Sequence, residues 1–374
     1  MIIIVIPVML GKGRRLFGSL ASDIELKLIK ARAFGRGLVQ CDTKLGVGNM
    51  LKIDSHAPVI KWATDCLIAK GYSLHEPPEI LLETPWSKVV RFSTSQYDVY
   101  LKQMPPAISL DPKIIQLLAD QCQASVPVVI ATNDSLNCFL MKDAGLNLRA
   151  YLKTEFKPEL LCQAIKDFTT IQRSTEYHIQ SFLALGVPDW RLDKFSKVYD
   201  HIINQTDFLK ADGMTDNELK ILQDLSPKVA EQCELLFQYQ IPETLVQLDF
   251  NSNNILFDPG TKKMTIIDLG EAVISHPFFS LHNFLYTATI HHGVKEGDQT
   301  YQQLQNACFE NWLELATKKR LLEGFMSAKK LWPIYGAFGC YRLMKSIDIQ
   351  AFRSWYANKP NRLADSFREY IAST

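Results

Sequence analysis

From Pro58 the apolar positions of PVIKWATDCLIAKGY recur at helical spacing, with a proline at the start and Gly71 at the end. The period then changes. EILLETPWSKVVRFST and YDVYLKQ alternate as paired strands do, and Pro85 marks the turn or edge between segments. LDPKIIQLLADQCQ reads as a short amphipathic helix opened by Asp111 and Pro112, and VPVVIATN and NCFLMKD as two further strands around a polar turn. Beyond them the helical period dominates: LNLRAYLKTEF, PELLCQAIKDFTTIQRSTEYHIQSFLAL, a stretch ending near CELLFQY, FFSLHNFLYTATIHH, YQQLQNACFENWLELA and KRLLEGFMSAKKLWPIYGAFGCYRLMKSI. A small strand-rich lobe followed by a large helical lobe predicts an α+β fold rather than alternating α/β. Residues 1–49 do not continue this pattern and form a leader of separate character. Residues 50–143 make the strand-rich lobe and 144–374 the helical one.

Composition narrows the function classes. The chain has 374 residues, with 41 Lys and Arg against 40 Asp and Glu, so it carries no electrostatic footprint for nucleic acid or an anionic membrane. The apolar run MIIIVIPVML covers about half of what a membrane span needs, and its charges follow it. It reads as a short strand or a disordered start rather than an anchor. Eight cysteines are scattered without a CxxC pair, which suits reduced thiols in a cytoplasmic protein.

The chemistry concentrates in VQLDFNSNNILFDPGTKKMTIIDLGEA, residues 246–272. LVQLD is an apolar strand end, FNSNN a loop whose side chains bond their own backbone, and ILF and MTIID two strands joined by DPGTKK. If those strands pair, Asn254 and Asp268 lie at one end of the hairpin and Asp249 faces the same space. Phosphoryl transfer uses such a set: an Asp for the hydroxyl proton, and an Asn and an Asp for Mg²⁺ on the nucleotide phosphates. An Asx-rich turn beside a hairpin would use the same residues. The chain has no G-x-x-x-x-G-K-[ST] and no G-x-S-x-G, which removes Walker-type and hydrolase readings. His291 and His292 lack zinc-site spacing and read as surface or core residues.

The segment resembles the H-G-D-x-x-x-x-N and D-x-G motifs of the aminoglycoside phosphotransferase and choline kinase-like family, which has a bilobal protein kinase-like fold. The resemblance runs in order through residues 58–370. It implies Asp249 as the catalytic Asp and Asn254 and Asp268 as magnesium ligands. TPWSKVVRFST resembles the family's phosphate loop, with Ser87 at its turn, and VYLKQ the strand with the phosphate-binding Lys102. DPKIIQLLA resembles the helix whose acid, Asp111, pairs with that lysine. FLMKDAGLNLR resembles the linker that reads adenine with backbone groups, near Met141, Lys142 and Asp143. ALGVPDWRL and SHPFFSLHNFL look like packing signatures of the family.

The chain departs from the family at Gln247, Leu248 and Asn251, where His, Gly and often His are usual. Gln247 can still donate a hydrogen bond and brace the loop, but it carries no charge. The resemblance implies an ATP- and magnesium-dependent phosphotransferase acting on a hydroxyl of a small molecule, with no nucleic-acid or membrane partner. The alternative is a pseudokinase that binds nucleotide or a protein partner without turnover. For the acceptor, Glu271, Glu296, Asp298, Glu310 and Glu314 would suit a polyamine-like molecule. Trp312, Trp332, Tyr335, Trp355 and Tyr356 would suit a choline-like one.

Overall fold

The computed structural model describes residues 2–5, 26–34, 38–45 and 57–374. By its own contacts the chain divides into Met1–Trp62 and Ala63–Thr374. In the first unit, β1 (Ile2–Val5), β2 (Leu26–Phe34) and β3 (Leu38–Leu45) form an antiparallel sheet in the order β1-β3-β2. β1 takes up the start of the apolar run at residues 1–10. The rest of that run lies outside the described residues.

Helix α1 (Ala57–Ala69) begins in the first unit and ends in the second, where Ala63 and Leu67 are fully buried. β4 (Glu79–Thr84), β5 (Ser87–Phe92) and β6 (Val99–Gln103) follow. Then come α2 (Asp111–Cys122), β7 (Val129–Asn133) and β8 (Cys138–Lys142). The five strands make one sheet in the order β4-β5-β6-β8-β7, every pair antiparallel. β5 buries every second side chain, the period-2 pattern read from SKVVRF. β4 is an edge strand, bulged between Ile80 and Leu82, and it leaves Ile80, Leu81 and Leu82 exposed.

Past the sheet, β9 (Leu146–Asn147) leads into α3 (Leu148–Thr154), α4 (Pro158–Thr175), α5 (Ile179–Ala184), α6 (Leu192–Ile203), α7 (Thr206–Ala211), α8 (Asp216–Asp224) and α9 (Ser226–Phe237). Four short strands hold the motif region: β10 (Thr244–Val246), β11 (Ile255–Phe257), β12 (Met264–Ile266) and β13 (Val273–Ser275). α10 (Phe278–His291), α11 (Gln299–Phe309), α12 (Lys318–Ser346), α13 (Ile349–Trp355) and α14 (Arg362–Ser373) complete the chain. α12 runs without a break through Pro333. The helices enclose an apolar core that includes Phe195, Tyr199, Phe279, Trp312, Tyr335 and Phe338. Among the described residues no helix is long and apolar enough to cross a membrane, and the seven cysteines from Cys66 onward are free.

Two glycines fix how the strand-rich and helical parts meet at the motif. Gly145 has φ +120°, and a Cβ there would stand 2.6 Å from the Phe257 carbonyl oxygen. A Cβ on Gly270 would stand 2.5 Å from the Ile108 carbonyl oxygen. No side chain fits either place without moving backbone.

Candidate active site

β11 and β12 pair across the DPGTKK turn, with Ile255 opposite Ile266, and the Ile267 N–H donates to the Asn254 carbonyl at 3.0 Å. This register puts Asn254 and Asp268 at one end of the hairpin, as the spacing predicts. The loop before it is closed by side chains. Asn251 Nδ2 donates to Asp249 Oδ1 and to the Asp249 carbonyl, both at 2.8 Å. Asn254 Nδ2 donates to Asp249 Oδ2 at 3.0 Å and to the same carbonyl at 2.8 Å. With its nitrogen engaged this way, Asn254 has its amide oxygen left for a cation.

Lys102 brings the strand-rich part to the motif. Its Nζ lies 2.5 Å from Asp111 Oδ2 and 2.6 Å from Asp268 Oδ1. Burial alone would lower the ammonium's pKa, but the Asp111 and Asp268 carboxylates outweigh it and hold it above the ordinary lysine value. Asp111 is fully buried, and its other oxygen accepts from the Leu269 N–H at 2.9 Å. It is the first residue of α2 and makes no N-cap bond, so its carboxylate serves the pair with Lys102. Asp268 adopts φ +65°, a left-handed backbone uncommon outside glycine and reached more readily by Asp than by most residues.

Gln247 bonds the backbone there. Its Nε2 donates to the carbonyls of Ile267 and Asp268, each at 2.8 Å. Ser280 Oγ in turn donates to the Gln247 carbonyl at 2.7 Å. The uncharged amide thus braces the backbone on both sides of the Ile267–Asp268 peptide bond. Its Oε1 is buried without a partner.

Two cavities meet at Asp268. One, about 360 Å³, is lined by Ser87, Lys102, Asp111, Met141, Lys142, Asp143, Asn254 and Asp268, with Val89, Phe139 and Leu256 among its apolar walls. The other, about 460 Å³, is lined by Asp249, Asp268, Glu271 and Glu369, with Trp86, Leu248, Tyr286, Trp332, Tyr335, Phe352 and Tyr356. Every residue that the resemblance gives to nucleotide or metal therefore lines the first cavity, and Asp249 opens into the second.

Two details differ from the simplest form of that scheme. The Lys142 and Asp143 N–H groups donate to Val128 and Asp98 carbonyls at 2.9 and 3.0 Å, so neither donor is available to a nucleobase. The Ser87 N–H donates to Thr84 Oγ1 at 2.9 Å, so it is spent inside the turn.

The electrostatics of the second cavity are those of crowded acids. Asp249 is exposed within the cavity, with protein atoms packed densely around its carboxylate. The resulting desolvation, with the Asp268 charge, pushes its carboxyl up to about 6, against hydrogen bonds from Asn254 and Asn251. Burial, then Asp268 and Asp249, push Glu271 up to about 8. A cation in this space relieves both groups.

Several residues that shape the site carry no linear signal. Arg149 Nη2 donates to Asn251 Oδ1 at 2.6 Å, and its Nε donates to Ser252 Oγ at 3.3 Å. His292 Nε2 lies 2.8 Å from Ser252 Oγ, so this histidine props the loop. Arg342 donates to the carbonyls of Gly270, Glu271 and Ala272. Of the acceptor candidates, Glu271, Trp332, Tyr335 and Tyr356 line the cavity. Glu296, Glu310 and Glu314 pair with Lys329, Lys166 and Arg173. Asp298 caps α11, and Trp312 is core.

The comparisons with solved structures decide the fold. A Plasmodium vivax ethanolamine kinase is 14% identical with a TM-score of 0.54, over 79% of this chain and 84% of that one. The fold is protein kinase-like. Choline kinase LicA from Streptococcus pneumoniae is 11% identical with a TM-score of 0.54, over 84% of this chain and 100% of that one. The GDP and kanamycin complex of APH(2")-IIia gives 13% identity and a TM-score of 0.52, over 84% and 99%. No family model and no curated protein matches the sequence. In this kinase-like fold the five-stranded sheet is the small lobe and the helices are the large one.

Proposed function

We propose that the protein is an ATP- and magnesium-dependent phosphotransferase acting on a hydroxyl group of a small molecule that also carries a positive charge. The observation that carries the reading is the pair of cavities joined at Asp268, with the Lys102 side of the site in one and Asp249 in the other. Phosphoryl transfer is mostly positioning and charge neutralisation, and the residues divide that work. Lys102 stands beside the phosphates and offsets their charge. Asn254 and Asp268 would hold the metal through oxygens, and Mg²⁺ needs few protein oxygens because it keeps waters. When bound, the metal neutralises charge on the transferring phosphoryl group. Asp249 orients the acceptor hydroxyl and takes its proton, and its raised pKa suits a base working near neutrality.

The acceptor's charge follows from the wall composition. Asp249, Asp268, Glu271 and Glu369 face the space against one arginine, Arg362, and six aromatic residues are among the rest of the lining. An ammonium group gains from both. The printed names of the structural neighbours, ethanolamine kinase and choline kinase, point the same way. The free cysteines suit work in the cytoplasm. A nucleotide-binding protein without turnover is the second reading, favoured by Leu248, whose side chain lines the acceptor cavity beside Gly339. MgATP turnover over choline, ethanolamine, aminoglycosides and neutral sugars tests the reading. Transfer to a hydroxylated amine and not to neutral sugars is the expected result. Binding of MgATP with transfer to none of them would replace it with the second reading.

A further inference from the structure

The β4–β5 turn touches both cavities with consecutive residues. Ser87 lines the cavity with Lys102, and Trp86 lines the one with Asp249. The turn is stiff. Thr84 Oγ1 accepts from the Ser87 and Trp86 N–H groups at 2.9 and 3.3 Å, and donates to the Ser87 carbonyl at 3.2 Å. From this tip the Trp86 indole reaches the far side of the acceptor cavity. It stacks on Tyr356 at 5.5 Å and 13°, meets Trp355 edge-on at 5.8 Å, and tilts against Phe352 at 6.1 Å. β4 is exposed from Glu79 to Glu83, so this aromatic cluster is an apolar anchor for the hairpin's tip. The far partners are themselves fixed. Phe352 is buried, Arg353 donates to the Ala211 carbonyl at 2.8 Å, and the Arg362 guanidinium sits 4.2 Å from the Tyr356 ring centroid.

We propose that Trp86 is a positioning residue shared by the two cavities. Docked on Tyr356, it seats the phosphate loop against the acceptor wall, so that order in one cavity favours order in the other. The inference rests on the nucleotide reading of the Lys102 cavity. Its consequence is a coupling that must be reciprocal: whatever the phosphate loop gains from nucleotide is felt at α13, and an acceptor held against Tyr356 tightens nucleotide binding.

The test is amide hydrogen exchange on the full chain with and without MgATP, in the parent, Trp86→Ala and Trp86→Phe, beside MgATP affinity. In the parent, MgATP should slow exchange in both 84–92 and 349–356. Trp86→Ala should keep the slowing in 84–92 and lose it in 349–356. Its MgATP affinity should fall by about threefold to tenfold, the span of one aromatic pair. Trp86→Phe should restore the response at 349–356, which sets a ring contact apart from a general loss of fold. Equal slowing of 349–356 in parent and Trp86→Ala would overturn the proposal. So would slowing confined to 84–92 in the parent. Slowing at neither segment would remove the nucleotide reading itself, and the proposal with it.

Discussion

Gln247→Leu tests the brace behind Asp268, the proposed metal-site acid. The substitution keeps the volume of the side chain and removes its donors, leaving the Ile267 and Asp268 carbonyls without the two 2.8 Å bonds they now receive. Both bonds are partly buried, so each carbonyl left without its donor costs at most about 1–3 kcal/mol. Against that, the parent already buries Gln247 Oε1 without a partner, and leucine removes that burden. The net loss expected is about 1–3 kcal/mol of folding stability. Part of it appears at Asp268, whose φ of +65° relaxes once its carbonyl is released. Magnesium-dependent nucleotide affinity should then fall by about tenfold, the equivalent of ~1.4 kcal/mol. The measurements are urea unfolding and an ATP titration with and without magnesium. Gln247→His, which returns one ring N–H to the place of the two amide donors, should lie between parent and leucine in both. Parent-like stability and affinity in Gln247→Leu would refute the argument, because the amide would then brace nothing.

Lys102→Ala strands the fully buried Asp111 carboxylate, and removing one partner of a buried pair costs about 3–5 kcal/mol. It should destabilise the fold and weaken MgATP binding by about tenfold or more, and Lys102→Ala together with Asp111→Asn should recover stability but not nucleotide affinity. His276 and His282 are buried, and desolvation first of all pushes both down to about 3, so they are neutral in the fold while an unfolded chain protonates them below about 6.5. Acid therefore draws protons to the unfolded state. Stability should fall as pH drops from 6.5 toward 3, by up to ~1.4 kcal/mol per pH unit for each histidine, with no contribution above 6.5. Melting temperature against pH should be shallower in His282→Gln than in the parent; parallel curves would contradict this.

What the sequence discloses about this site is what lies close together along it. The hairpin, its turn and the Asn254–Asp268 juxtaposition follow from two short apolar runs and the spacing between them. Lys102 with Asp111 is also local, nine positions apart. The bond from Lys102 to Asp268 spans 166 positions, and no periodicity reports it. The same holds for Arg149 on Asn251, His292 on Ser252 and Trp86 on Tyr356. Helical period says which face of α10 or α12 is buried but not what it is buried against. Gln247 is the instructive case: its type suggests a donor, and only the fold shows that both donors go to the backbone of a strained acid. Phe352 on α13, Tyr356 just past it and Glu369 on α14 line the second cavity; the sequence offers Tyr356 as a candidate but not the two helices, of which α13 is barely two turns long.

The central claim is that Asp249 and Asp268 do different work from opposite sides of one junction. Titrating ATP against the parent, Asp249→Asn and Asp268→Asn, each with and without magnesium, tests it most directly. Asp249→Asn keeps the shape of a group that faces the acceptor cavity, so its magnesium-dependent affinity should stay within about twofold of the parent. Asp268→Asn removes charge from the metal site, so its affinity in magnesium should fall to the level measured without it. Equal loss in both variants would make Asp249 a metal ligand, and no loss in either would reduce the motif to an Asx-rich turn.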